Sequence, residues 1–244
     1  MRYLINKKNQ KIAYSINKGK SPGLIFIHGL NSDMTGKKAL SIHKYAKKNN
    51  LNFIRFDCRG HGKSFGKFED FTITDWKEDL FDIIDHLTKG PQILIGSSMG
   101  GWLMTLAAKR RYQKVAGLIG LAATVDFGQD LYSNLTIKNK KEIRKFGLTN
   151  YKSYGFAYII KKKFFSEAKK NNVLNKTIKF NKPVILIHGI KDNVVNQEMP
   201  KKLIKFFKTD NQQIYYLKSS DHRLSKSEDL ITINSAIDNM RKMI

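Results

Sequence analysis

The sequence predicts an α/β domain built on a mostly parallel sheet with helices on both faces, and three observations carry that prediction. Short apolar runs alternate with polar, helix-compatible stretches along the 244 residues. One such run, Gln92-Ile93-Leu94-Ile95, gives way at once to a glycine-flanked serine pair and then to a helix-like run. Serine, aspartate and histidine then follow in that order, each just past a separate apolar run, where functional residues of parallel sheets gather.

The first eighteen residues alternate as a hairpin does, with "NKKNQ" as its turn. Strands follow at 24–28, 53–56, 92–95, 118–122, 184–188 and 214–217, with helices between them near 36–49, 74–88, 100–111, 197–208 and 228–243. The 100–111 helix ends in Lys109-Arg110-Arg111, the charge sign that a helix C-terminus favours. Between the strand ending at 122 and the one starting at 184 the gap is about twice the usual length for this chain. It is expected to hold a small helical cap at about 123–182, inserted after the fourth parallel strand. No linker-like segment interrupts the chain, so residues 1–244 form one domain.

The formal charge of +25 raises the question of a nucleic-acid partner. The 37 lysines far outnumber the 8 arginines and are scattered as doublets such as Lys7-Lys8 and Lys201-Lys202. Arginine is the better bidentate phosphate ligand, so the reading is a solvated basic surface with no nucleic-acid partner, biased toward anionic substrates or surfaces. A lone Cys58 excludes an internal disulfide and cannot make a zinc site by itself; a buried thiol is expected there. No apolar run approaches the roughly 20 residues of a membrane span, so no integral membrane segment is expected. The N-terminal "MRYLINKKNQKIAYSINK" has no continuous apolar core, and a cytoplasmic setting is the expectation.

Gly96-Ser97-Ser98-Met99-Gly100 fits the strained strand-to-helix bend Gly-x-Ser-x-Gly with Ser98 at its centre. Ser97 fails, because its flanks at that spacing are Ile95 and Met99. A serine hydroxyl needs a base, and the base needs a carboxylate to hold its tautomer. Asp192 in "HGIKDNVV" and His222 in "KSSDHRLS" supply them past two later strands, in the chain order Ser, Asp, His. The backbone N–H groups of Leu30, after "HG", and of Met99 are the expected oxyanion donors. His28 and His188 read as structural, Asp126 as a helix N-cap opening the cap, and Asp221 as pointing away from its neighbour His222. His43, His61 and His86 are expected at the surface. "DCRGHGKS" resembles a phosphate loop only at its end, because Asp57 occupies the position of the required first glycine.

The stretches "IRFDCRGHGKS", "WKEDLFDIIDHLTKGPQILIGSSMGGWLM", "LIGLAATVDF", "ILIHGIKDNVV" and "SDHRLS" together resemble the mitochondrial abhydrolase-type palmitoyl-protein thioesterases, also described as acyl-glucuronide esterases, of the α/β-hydrolase superfamily. The resemblance runs from about Leu24 to the C-terminus. It implies an α/β-hydrolase fold, a Ser98, Asp192, His222 triad, no cofactor, and hydrolysis of acyl thioesters or related esters on a small molecule or an acylated protein. A general carboxylesterase and a non-catalytic basic binding protein on the same scaffold are the alternatives. Tyr151, Tyr154, Phe156, Tyr158, Ile159, Phe164 and Phe165 of the cap are candidates to line an acyl slot, or simply to pack the cap.

Overall fold

A computed structural model describes residues 1–153 and 156–244. The chain opens with the expected hairpin: β1 (Arg2–Ile5) pairs antiparallel with β2 (Lys11–Asn17), Ile5 opposite Lys11. Asn6 Oδ1 closes the turn by accepting the N–H groups of Lys8 and Gln10, each at 2.9 Å. Strand–helix units follow: β3 (Lys20–Ile27), α1 (Lys37–Lys48), β4 (Leu51–Phe56), α2 (Ile73–Leu87), β5 (Gln92–Ser97), α3 (Gly100–Arg110) and β6 (Val115–Leu121). An insertion comes next, comprising α4 (Gly128–Ser133), α5 (Ile137–Phe146), β7 (Leu148–Ser153), β8 (Phe156–Lys161) and α6 (Lys162–Lys170). The chain then returns through β9 (Val184–Gly189), α7 (Met199–Ile204), β10 (Gln212–Leu217) and α8 (Ser227–Lys242).

Among the described residues the main sheet has eight strands in the order β1-β2-β4-β3-β5-β6-β9-β10. Only the β1–β2 and β2–β4 pairs are antiparallel. Successive side chains of a strand face opposite sides, and here both sides are apolar. Leu94 of β5 joins a cluster with Trp76 and Leu80 of α2, Trp102 of α3 and Leu203 of α7. Ile93 and Ile95 join the other, with Ala39 and Ile42 of α1 and Ile233 and Ile237 of α8. That burial on both faces explains why the strands read as continuous apolar runs. The segment after α7 is drawn into a short bridge, with the Ile178 N–H donating to Phe206 O at 2.7 Å, so the helix stops at Ile204 rather than near 208.

The sequence suggested a helical cap, but the insertion also contains two paired strands. β7 and β8 pair antiparallel as a small second sheet, where aromatic and β-branched residues such as Tyr151, Tyr158 and Ile159 favour extended backbone. Trp102 Nε1 donates to Asn171 O at 2.9 Å, and Thr74 Oγ1 to Glu167 at 2.6 Å, tying the far end of the cap to α3 and α2. The cap leaves from the carboxyl end of β6, the same end of the sheet from which Ser98 projects past β5.

Candidate active site

Ser98 links β5 to α3 with φ = +51°, in the left-handed region that a non-glycine residue rarely adopts. Hydrogen bonds hold it there: its N–H donates to Leu121 O at 2.9 Å, and its carbonyl accepts from Gly101 N at 2.8 Å. A Cβ on Gly96 would stand 2.3 Å from Gly100 O, and one on Gly100 would stand 2.2 Å from Ile27 O. Both glycines are therefore demanded by close backbone approach at the bend. Ser97 is buried, whereas Ser98 is partly open.

His222, in the loop after β10, turns its Nε2 to Ser98 Oγ at 3.1 Å. Its Nδ1 lies 2.8 Å from Asp192 Oδ2. The buried Asp192 carboxylate can only accept, so Nδ1 carries the proton and Nε2 is left to accept the serine O–H. Asp192 Oδ1 takes the N–H groups of Val194 and Val195, at 2.8 and 2.9 Å. Burial pushes the Asp192 pKa up, but the His222 hydrogen bond and the Val195 and Val194 N–H groups outweigh it, and the net shift is downward. Lys191 N donates to Ser220 O at 2.9 Å, so the loops that carry the acid and the base are joined directly.

The loop after β3 passes beside the serine: a Cβ on Gly29 would lie 3.2 Å from Ser98 Cβ. Leu30 follows immediately, and Met99 stands at the head of α3 with helical backbone, among the unpaired amides of a first helical turn. His28, fully buried, locks this loop. Its Nε2 accepts the Cys58 N–H at 3.0 Å, and its Nδ1 donates to Gly29 O at 2.7 Å. The structural reading of His28 holds.

Comparisons with known proteins bear on the whole chain. A family model described as "Serine aminopeptidase, S33" matches residues 21–157. The mitochondrial palmitoyl-protein thioesterase ABHD10 of Bos taurus is 39% identical over 96% of this chain and 78% of its own. The human protein of that name is 37% identical with the same coverage. The solved structure of mouse alpha/beta hydrolase domain-containing protein 10 superposes with a TM-score of 0.91 at 34% identity, covering 99% of this chain and 98% of that one. The chain belongs to the ABHD10 palmitoyl-protein thioesterase family of α/β-hydrolases.

Several further residues set the geometry of this ABHD10-family site. His61 is not at the surface; it is 6% exposed. The turn after β4 folds it inward between His28, Phe68 and Trp76, with ring centroids 4.9, 5.4 and 5.1 Å away. Burial, then the neighbouring His28, hold its pKa down at about 3, so it stays neutral and its Nε2 accepts the Asn31 N–H at 3.2 Å. His43 is half-buried against Phe53, and only His86 is exposed as expected. Asp57 shapes its turn by accepting the N–H groups of Met34 and Lys63 at 2.7 and 2.9 Å. Arg59, whose Nε lies 2.5 Å from Asp79 Oδ1, clamps the same turn onto α2. Cys58 is fully buried, and burial pushes its thiol pKa up.

Asp126 is not a helix N-cap. Its carboxylate accepts the N–H groups of Val173 and Leu174 at 2.8–3.0 Å, closing the two ends of the cap on each other. The positive φ of +56° at Asp126 turns the chain so that the side chain faces residues 173–174 rather than α4. Asp221 accepts from the Arg223 N–H at 3.0 Å. His188 is buried, with Nε2 3.1 Å from Val195 O and 3.5 Å from Asp192 Oδ2, so it buttresses the acid loop.

The cap aromatics divide. Phe164 and Phe165 pack within the cap, against Phe127 and Tyr132, and Phe164 also meets Trp76. Ile159 lines a cleft of about 240 Å³ with Phe68, Phe71 and Phe164, whose lining does not include Ser98. Tyr151 and Tyr158 stack edge to face at 5.5 Å, and Tyr158 reaches Phe68. Tyr154 lies outside the described residues, as does the side chain of Phe156.

Proposed function

We propose that this ABHD10-family serine hydrolase cleaves acyl thioesters and carboxylic esters through a Ser98 acyl-enzyme. The reading rests on one observation, the continuous chain from Ser98 Oγ to His222 Nε2 at 3.1 Å and from His222 Nδ1 to Asp192 at 2.8 Å. Ser98 Oγ attacks the acyl carbonyl carbon while its proton passes to His222 Nε2. Asp192, ionised and immobile, stabilises the imidazolium so formed. The N–H groups of Leu30 and Met99 face the developing oxyanion, and Met99 adds the dipole of the α3 N-terminus. The tetrahedral intermediate collapses, the leaving thiol or alcohol takes the proton from His222, and water repeats the sequence on the acyl-enzyme.

A fluorophosphonate probe tests the assignment by mass spectrometry. The adduct is expected on Ser98, absent in Ser98→Ala and present in Ser97→Ala. An adduct on Ser97, or none in the wild type, overturns it. A hydrolysis panel of matched thioesters and oxyesters then separates thioesterase from general carboxylesterase.

A further inference from the structure

We propose that the outward face of α5 docks the protein on an anionic lipid bilayer. Ile137 and Phe146, at the two ends of this helix, are 76% and 62% exposed. Between them Lys138, Lys141 and Lys145 line an open groove of about 450 Å³, with Glu142 as its remaining lining residue. The Glu142 carboxylate is engaged, accepting from Thr149 Oγ1 at 2.5 Å and lying 4.0 Å from Lys138. Leu148, 38% exposed, continues the apolar patch beyond Gly147. The helix itself is well anchored: Ile143 on its inner face is buried, Thr136 caps it through the Asn139 N–H, and Gly147 ends it at φ = +75°.

Apolar side chains flanking a lysine cluster on one exposed helical face match a bilayer surface, where hydrocarbon and phosphate lie a few ångströms apart. A second copy of this chain would bring lysine against lysine in a molecule carrying +25. A nucleic-acid backbone would satisfy the lysines but leave Ile137 and Phe146 in water, and no arginine lines the groove. The insertion that carries α5 leaves the sheet at its carboxyl end, which also carries Ser98. The proposal does not depend on the hydrolytic reading, since binding is measured without turnover.

Co-sedimentation of the full chain with vesicles of phosphatidylcholine alone, and with about 30% phosphatidylglycerol added, tests it at about 0.15 M salt. The expected result is partition onto the anionic vesicles only. Reversing Lys138, Lys141 and Lys145 to Glu should lower partition at least about 10-fold, as should Ile137→Asp with Phe146→Asp. Ile231→Asp, at a 65% exposed position on α8, should leave it unchanged. Thermal melts verify that each variant is folded. Unchanged partition of the Ile137→Asp, Phe146→Asp variant overturns the proposal. So does an equal loss when Lys7, Lys8 and Lys48 are reversed instead, which would mean diffuse charge alone. Binding of a fluorescent oligonucleotide that the α5 variants abolish, without vesicle partition, would assign the face to nucleic acid and also overturn it.

Discussion

His61 Nε2 accepts the Asn31 backbone N–H at 3.2 Å, and that bond fixes the loop that runs past Ser98. The two residues come from turns after different strands, and only a neutral imidazole can accept at Nε2. The loop holding Leu30 is thus set from outside itself, by a histidine in the turn after β4.

Replacing His61 by Leu should therefore lower kcat about 10-fold while leaving KM nearly unchanged. Removing an oxyanion donor outright costs about 10²–10³, and the proposed Leu30 donor would only be loosened. His61→Gln, whose side-chain carbonyl can still accept, should recover much of the loss. Steady-state kinetics on a chromogenic ester checks this; an unaltered kcat in His61→Leu would remove the positioning role.

Asp192→Asn should lower kcat by about 10⁴-fold, because the amide no longer favours the Nδ1–H tautomer of His222. Asp126→Asn should leave kcat within about threefold but cost about 1–3 kcal/mol of stability, since its carboxylate binds the N–H groups of residues 173 and 174. Paired kinetics and thermal melts read both. The reverse ranking would move the catalytic acid to the strand before the cap.

Turnover of substrates with equal fit should fall in the order thioester, oxyester, amide. A thiol leaves near its ordinary pKa of about 8.5 and needs little help from His222, whereas an amine must be protonated first. Acyl chains should also improve binding by about 0.8 kcal/mol, roughly fourfold, per methylene sequestered. A panel from acetyl to octanoyl thioesters measures both trends. A flat profile would remove an acyl slot, and amide cleavage outrunning thioester cleavage would favour the peptidase chemistry in the family description.

Stability should fall as pH drops below about 6.5. His28, His61 and His188 all have pKa values lowered from 6.5, in each case chiefly by burial. Below that value the unfolded chain takes up protons that the native chain refuses, so the unfolded state binds more protons and stability rises with pH. For His61 the effect runs down to its folded value of about 3. Each such histidine contributes a slope of about 1.4 kcal/mol per pH unit. Urea denaturation at pH 7.5, 6 and 5 measures the slope, which His61→Gln should reduce. An identical slope in that variant would mean that His61 does not stay neutral.

The repeated strand–helix order was legible because the central parallel strands β5, β6 and β9 are buried on both faces and are apolar along most of their length. The bend at Ser98 was legible for a steric reason, since a Cβ on Gly96 or Gly100 would stand 2.2–2.3 Å from backbone atoms, and the two glycines so required leave a local signature. The inward turn of His61 was not. Whether a histidine in a polar turn is buried depends on Trp76 and Phe68, which pack over it from elsewhere in the chain. Asp126 was misread for the same reason: its partners at 173 and 174 lie across the whole insertion.

By itself the sequence determined the α/β class and the hairpin at the start, and it singled out Ser98, Asp192 and His222 by motif and chain order. These depend on local periodicity, local sterics and chain order, which a single chain records directly. Only the tertiary structure decided that the cap pairs two strands, β7 and β8, that Asp126 clasps the cap's far end, and that His61 holds the loop beside Ser98. The last two follow from contacts between residues 30 or more apart, whose geometry exists only once the fold has brought them together.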